Sequence, residues 1–224
     1  MHEQTMDKRR VAVLTLLDDV MAIMREDKPF NPESATFGKI ENTKNLKRTV
    51  GVTYEYKNTI IQAMTLAMTT EANPLNYVED RMRVSTVPSI FALDFSVPIH
   101  GINWTEIQER LDLANYWVDT DGDKHEGNCF PASPPNEWVT ICRYRANEPV
   151  GSRFPVNVEL GFFGPRKDGT YDLDRVIIRR AYPYLTPELR KQKREEQERR
   201  AHELYGNSGR KPEAPHATDA LVGP

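Results

Sequence analysis

The stretch from Phe154 to Tyr182, FPVNVELGFFGPRKDGTYDLDRVIIRRAY, restricts this chain more than any other. Val156, Val158, Leu160 and Phe162 fall at every second position, with Asn157 and Glu159 between them. A two-residue period sends alternate side chains to opposite faces of a strand, so this segment has one packed face and one wet face. A second strand pattern, Tyr171 to Tyr182, follows across GPRKDG, whose terminal glycines suit a turn. Strands patterned and joined in this way belong to an antiparallel sheet open to water on one side.

Other segments add to that sheet. Thr49 to Lys57 alternates Val50, Val52, Tyr54 and Tyr56. RMRVSTV and IFALDFSVPI read as strands, with Pro88 in their connection or at an edge. NYWVDT and WVTICRYRA read as two more. The segment at 59–71 fits both periods, and its methionine and alanine content points to a helix. A first helix is expected from Asp7 to Glu26, with Val13, Leu14, Leu17, Val20, Met21 and Met24 on one face and the prolines of EDKPFNP ending it. A second starts at Asn103, which with Glu106 forms a capping pair and sets Trp104, Ile107 and Leu111 on one side.

The fold class is therefore α+β, with helices packed on an antiparallel sheet. One globular domain is expected over 1–185, divisible into 1–100 and 101–185. Thr186 and Pro187 open a protruding charged helix over 186–206, held by pairs such as Glu195 with Arg199, before a disordered tail over 207–224.

Composition narrows the function. With 30 Lys and Arg against 33 Asp and Glu, the net charge is -3, which argues against a nucleic-acid binder. The longest apolar run, Val11 to Leu17, is far shorter than the ~20 residues of a membrane span. It follows DKRR as a signal peptide's apolar stretch would, but paired aspartates come next and no cleavage pattern does. A cytoplasmic chain and a processed periplasmic one both fit.

Cys129 and Cys142 are the chain's two cysteines, one in a proline-rich loop and one in a strand. A disulfide between them is favoured over two separate thiols, and it implies an oxidising compartment. A metal site using His125 with both cysteines matches no ligand spacing. DTDGDKHEG copies the first three acids of a calcium loop, then places Lys124 where glycine must turn and Phe130 where the bidentate glutamate belongs. No metal or cofactor is expected. What remains is an acidic loop, Asp119, Asp121, Asp123 and Glu126, beside Trp117, suited to contact with another protein.

The leading expectation is a non-enzymatic binding protein of the bacterial envelope, an immunity or inhibitor protein that neutralises a toxin or effector. A small hydrolase is the first alternative, with His100 or His125 against a cysteine or an aspartate. A structural or assembly subunit of a phage or secretion apparatus, using the C-terminal helix, is the other.

Overall fold

The computed structural model describes residues 2–26, 28–47, 50–72, 86–119, 122–132, 138–148 and 154–181, together with Glu195, Arg199 and His202. Among the described residues, the elements run in the order α1 (His2–Met24), β1 (Lys39–Asn45), β2 (Gly51–Lys57), β3 (Thr65–Ala72), β4 (Thr86–His100), α2 (Trp104–Arg110), β5 (Tyr116–Val118), β6 (Lys124–Glu126), β7 (Cys129–Pro131), β8 (Val139–Arg145), β9 (Val156–Phe163) and β10 (Asp172–Arg180). Eight of the strands form one antiparallel sheet in the order β1-β2-β3-β4-β10-β9-β8-β7, and β5 and β6 form a separate hairpin. The α+β content matches the sequence pattern.

The sheet is two meanders, each introduced by a helix and each ending at the middle. β1 to β4 step inward from one edge, β7 to β10 step inward from the other, and β4 pairs β10 at the junction. One row of core-facing pairs runs from β2 to β8: Tyr54 on Met68, Phe91, Ile178, Val158 and Tyr144. The next row runs from Leu66 through Leu93, Val176, Leu160 and Cys142 to Cys129. The interior members of both rows are buried in a single core with Val13, Leu14, Leu17, Val20, Met21 and Met24 of α1 and Ile107 of α2. The valines and leucines of β9 face that core, and Asn157 and Glu159 face away, as the alternation requires.

Arginines stitch α1 to its surroundings. Arg9 donates to the Ile61 carbonyl at 2.8 Å, and Arg110 grips the Asp18 carboxylate with two nitrogens. At the far end Arg180 donates to the Ile23 and Met24 carbonyls, each at 2.9 Å, which closes the last turn. The N-cap of α2 forms as read, the Asn103 side chain accepting from the Glu106 amide at 2.8 Å.

Several expectations are corrected. Residues 65–72 are strand β3 and not helix, because Leu66 and Met68 fill the sheet rows between β2 and β4. Helix α1 covers His2–Met24 in place of Asp7 to Glu26, and Glu26 already has a positive φ of 67°. Pro88 lies inside β4, opposite Thr70 at a bulge, where pairing with β10 has not yet begun. It therefore needs no amide on that side. Cys129 belongs to strand β7 and not to a loop. Of the expected charged helix at 186–206, Glu195, Arg199 and His202 are described, all helical; its remaining residues, the tail at 207–224 and RMRVS at 81–85 lie outside the described residues.

Candidate functional site

The sheet face away from α1 carries the chemistry. Across it runs a row from Glu55 through Ala67, Ala92, Ile177 and Glu159 to Arg143. Its β8 end is built up by the β5–β6 hairpin. Trp117 and His125 face each other across that hairpin, their rings stacked 4.3 Å apart at 20°. His125 Nε2 is 2.7 Å from Asp119 Oδ2, and Asp119 Oδ1 accepts from the Asp123 amide at 2.8 Å. One carboxylate thus closes the turn and orients the imidazole. Asp119 is only partly exposed, its carboxylate drawn in on these two partners. Asp123 and Glu126 are exposed, and Asp121 lies outside the described residues.

Arg143 completes the cluster. Its guanidinium is 5.2 Å from the Trp117 ring and 5.1 Å from the Phe130 ring, within cation–π range of both. Its Nε donates to Glu159 Oε2 at 2.9 Å, which fixes the fork in place. Trp117 is half-buried and not sunk in the core, with Phe130 6.4 Å away. Lys124 lies 4.2 Å over the Tyr116 ring, so cations are interleaved with the acids of the loop. Beyond β8, Phe163 shares this face and Trp138 is 62% exposed; the Gly164 amide donates to the Trp138 carbonyl at 2.8 Å.

The disulfide braces this region. Cys129 and Cys142 are bonded at directly opposed positions, Cα to Cα 4.0 Å. The Arg143 amide donates to the Asn128 carbonyl at 2.8 Å just beyond them, which marks a non-hydrogen-bonded pair, the narrow site of an antiparallel ladder. Cys142 continues the core row, while Phe130 and Arg143, one step along on each strand, are turned to the open face. The covalent tie therefore fixes the spacing of two members of the aromatic cluster. Below the hairpin, Arg145 is buried, and burial pulls its guanidinium below the usual range against the opposing influence of Glu148 and Tyr116. On the opposite face of β8, burial in the core pushes the Tyr144 hydroxyl, 3.7 Å from Cys129 Sγ, up to about 12.

Both histidines named from the sequence meet an aspartate. His100 Nδ1 is 2.9 Å from Asp172 Oδ1, but the other oxygen of that buried carboxylate takes Arg166 Nε at 2.6 Å. Asp172 there joins β4, β10 and the turn at Arg166 as a structural clasp. Neither histidine has a thiol to activate, since both sulfurs are in the bridge. Among the described residues, no group of three or more His, Cys, Asp or Glu is placed to hold a metal, and no helix is long and apolar enough to cross a membrane.

No family model, curated protein or solved structure matches this chain.

Proposed function

We propose that this chain is a non-enzymatic protein-binding module that works in an oxidising compartment and docks a partner on the Trp117–Phe130–Arg143 face. The observation that carries the reading is the indole of Trp117 stacked on His125 and faced by Arg143, beside a disulfide-bonded strand pair. Rigid aromatic and arginine groups with little rotamer freedom left to lose are the side chains that dominate binding energy at interfaces. Phe163 and Trp138 extend the apolar area, and Asp123, Glu126 and Lys124 supply a charged rim. In its narrower form the module is an immunity or inhibitor protein of the bacterial periplasm, covering the active or binding surface of a toxin or effector. The disulfide supports the compartment, and the exposed acids Asp123 and Glu126 support a partner with basic groups around its cleft.

The test is co-purification with the product of each adjacent gene, followed by affinity measurement on variants. Trp117→Ala should weaken binding at least ~30-fold, the loss of a ~2 kcal/mol hot spot. Replacing Asp123 and Glu126 together by alanine, which leaves the Asp119 contacts to the turn and to His125 in place, should flatten the salt dependence of association. If both variants bind as the parent does, the partner does not use this face.

A further inference from the structure

Away from that face, at the C-terminal end of α1, the structure has a second feature that the protein-contact reading does not use. A cleft of about 420 Å³ opens between the loop after α1, strands β2 and β3, and the ends of β4 and β10. Its walls include Phe30 and Tyr54, whose rings meet edge to face at 5.8 Å, and the prolines Pro29, Pro32 and Pro88. Arg180 lies at its inner end with a side chain only 6% exposed.

Three sides of the Arg180 guanidinium are accounted for, and one is not. Nε and Nη2 donate to the Met24 and Ile23 carbonyls, and the flat face lies 4.7 Å from the Phe154 ring. Nη1 is buried without a hydrogen-bond partner. Glu26 Oε1 stands 3.8 Å from it, near enough for charge attraction and too far for a hydrogen bond. Burial lowers the Arg180 pKa to about 10, with Glu26 opposing the shift, so the group is a cation at neutral pH whose desolvation is only partly offset. A buried donor in that state gains from an acceptor placed in the cleft.

We infer that this cleft binds a small monocarboxylic acid with an apolar body, its carboxylate on Arg180 Nη1 and its body against Phe30, Tyr54 and the prolines. The size is at the small end of ligand pockets, about 300–1,000 Å³. A single negative charge fits better than phosphate. The prolines bring no amide donors, Lys28 is already paired with Asp19 at 2.6 Å, and Glu26 repels a dianion. An anion near a helix C-terminus is ordinarily disfavoured. Here Arg180 stands between, with two nitrogens on the last carbonyls and the third buried without a hydrogen-bond partner at the cleft wall.

The test is titration of the full chain with phenylacetate, its neutral isostere phenylacetamide, and inorganic phosphate, followed by protein NMR shifts. Phenylacetate should bind at least tenfold more tightly than the amide and than phosphate, with shifts at Phe30 and Tyr54. Glu26→Gln, which leaves the bonds of Arg180 to α1 in place, should tighten phenylacetate several-fold. Arg180→Met should abolish the preference for acid over amide; if that variant unfolds, the Glu26→Gln result decides. Equal binding of acid and amide, saturation absent at 20 mM phenylacetate (a concentration about as high as this titration reaches), or an unchanged affinity in Glu26→Gln would overturn the assignment. None of these outcomes depends on a protein partner.

Discussion

At the scale of single residues, two kinds of contact can be weighed separately. The Cys129–Cys142 bridge spans a sequence separation of 13, and on the loop-entropy estimate closing a loop of that size contributes about 3 kcal/mol. Reduction, or alanine at both positions, should lower the unfolding free energy by roughly that amount in urea titrations. Because Cys142 is buried in the core row, the alanine variant should lose somewhat more than reduction does. The aspartates Asp19 and Asp174 give opposite pH signatures. A hydrogen bond from Lys28, aided by one from Thr36, holds Asp19 below the usual carboxylate range against the effect of burial. Its folded form binds fewer protons than the unfolded chain, so its contribution is present above the unfolded pKa and is lost as pH falls through the folded value. Asp19→Asn should therefore lower Tm at pH 7, with the deficit fading toward pH 2. Burial raises Asp174, helped by Asp94 and opposed by Arg175. That acid favours folding only while protonated, so Asp174→Asn should raise Tm slightly at pH 7 and have no effect near pH 3.

At the scale of elements, legibility followed burial. β9 and β10 were readable because one face of each is packed and the other wet, so the two-residue period survives in the residues themselves. β1, KIENTKN, carries no such record: it is an edge strand, mostly exposed, placed by pairing with β2. β3 was misread because Met and Ala lean toward helix, while its place between β2 and β4 overrides that preference. The three-residue strands β6 and β7 are too short to show a period. For the candidate site, Trp117, Asp119 and the cysteine pair stood out in the chain. Phe130 and Arg143 did not, since their meeting with Trp117 depends on the hairpin lying over β8. Local signals were reliable where the interaction is itself local, as at the α2 cap. Asn103→Ala should cost about 1 kcal/mol, and Asn103→Asp, which keeps the acceptor, much less; thermal unfolding of the two variants separates capping from mere polarity.

At the scale of the whole molecule, the question is whether 1–100 and 101–185 behave as two units or one. Their sequence order, a helix and then a meander in each, would allow either. The sheet joins them along β4 and β10, where Leu93 pairs Val176 and Phe91 pairs Ile178, and α1 contributes to the core shared by both. Separating the halves would expose both sides of that seam and strip α1 from half of its packing, so no partly folded species keeps a complete core. The tryptophans make this measurable, because Trp104, Trp117 and Trp138 all lie in the second half. Their fluorescence reports on 101–185 alone, whereas far-ultraviolet circular dichroism reports on every strand. The two signals should give coincident urea curves. Leu93→Ala, a fully buried truncation in the first half, should then shift the tryptophan curve by the same 2–5 kcal/mol (about what such truncations cost) as it shifts the dichroism. A variant that moved the dichroism while leaving the fluorescence transition in place would show that the β4–β10 seam does not couple the halves. The hairpin of Trp117 and the cleft of Arg180 would then stand on separately folding supports, and loss of one would leave the other intact.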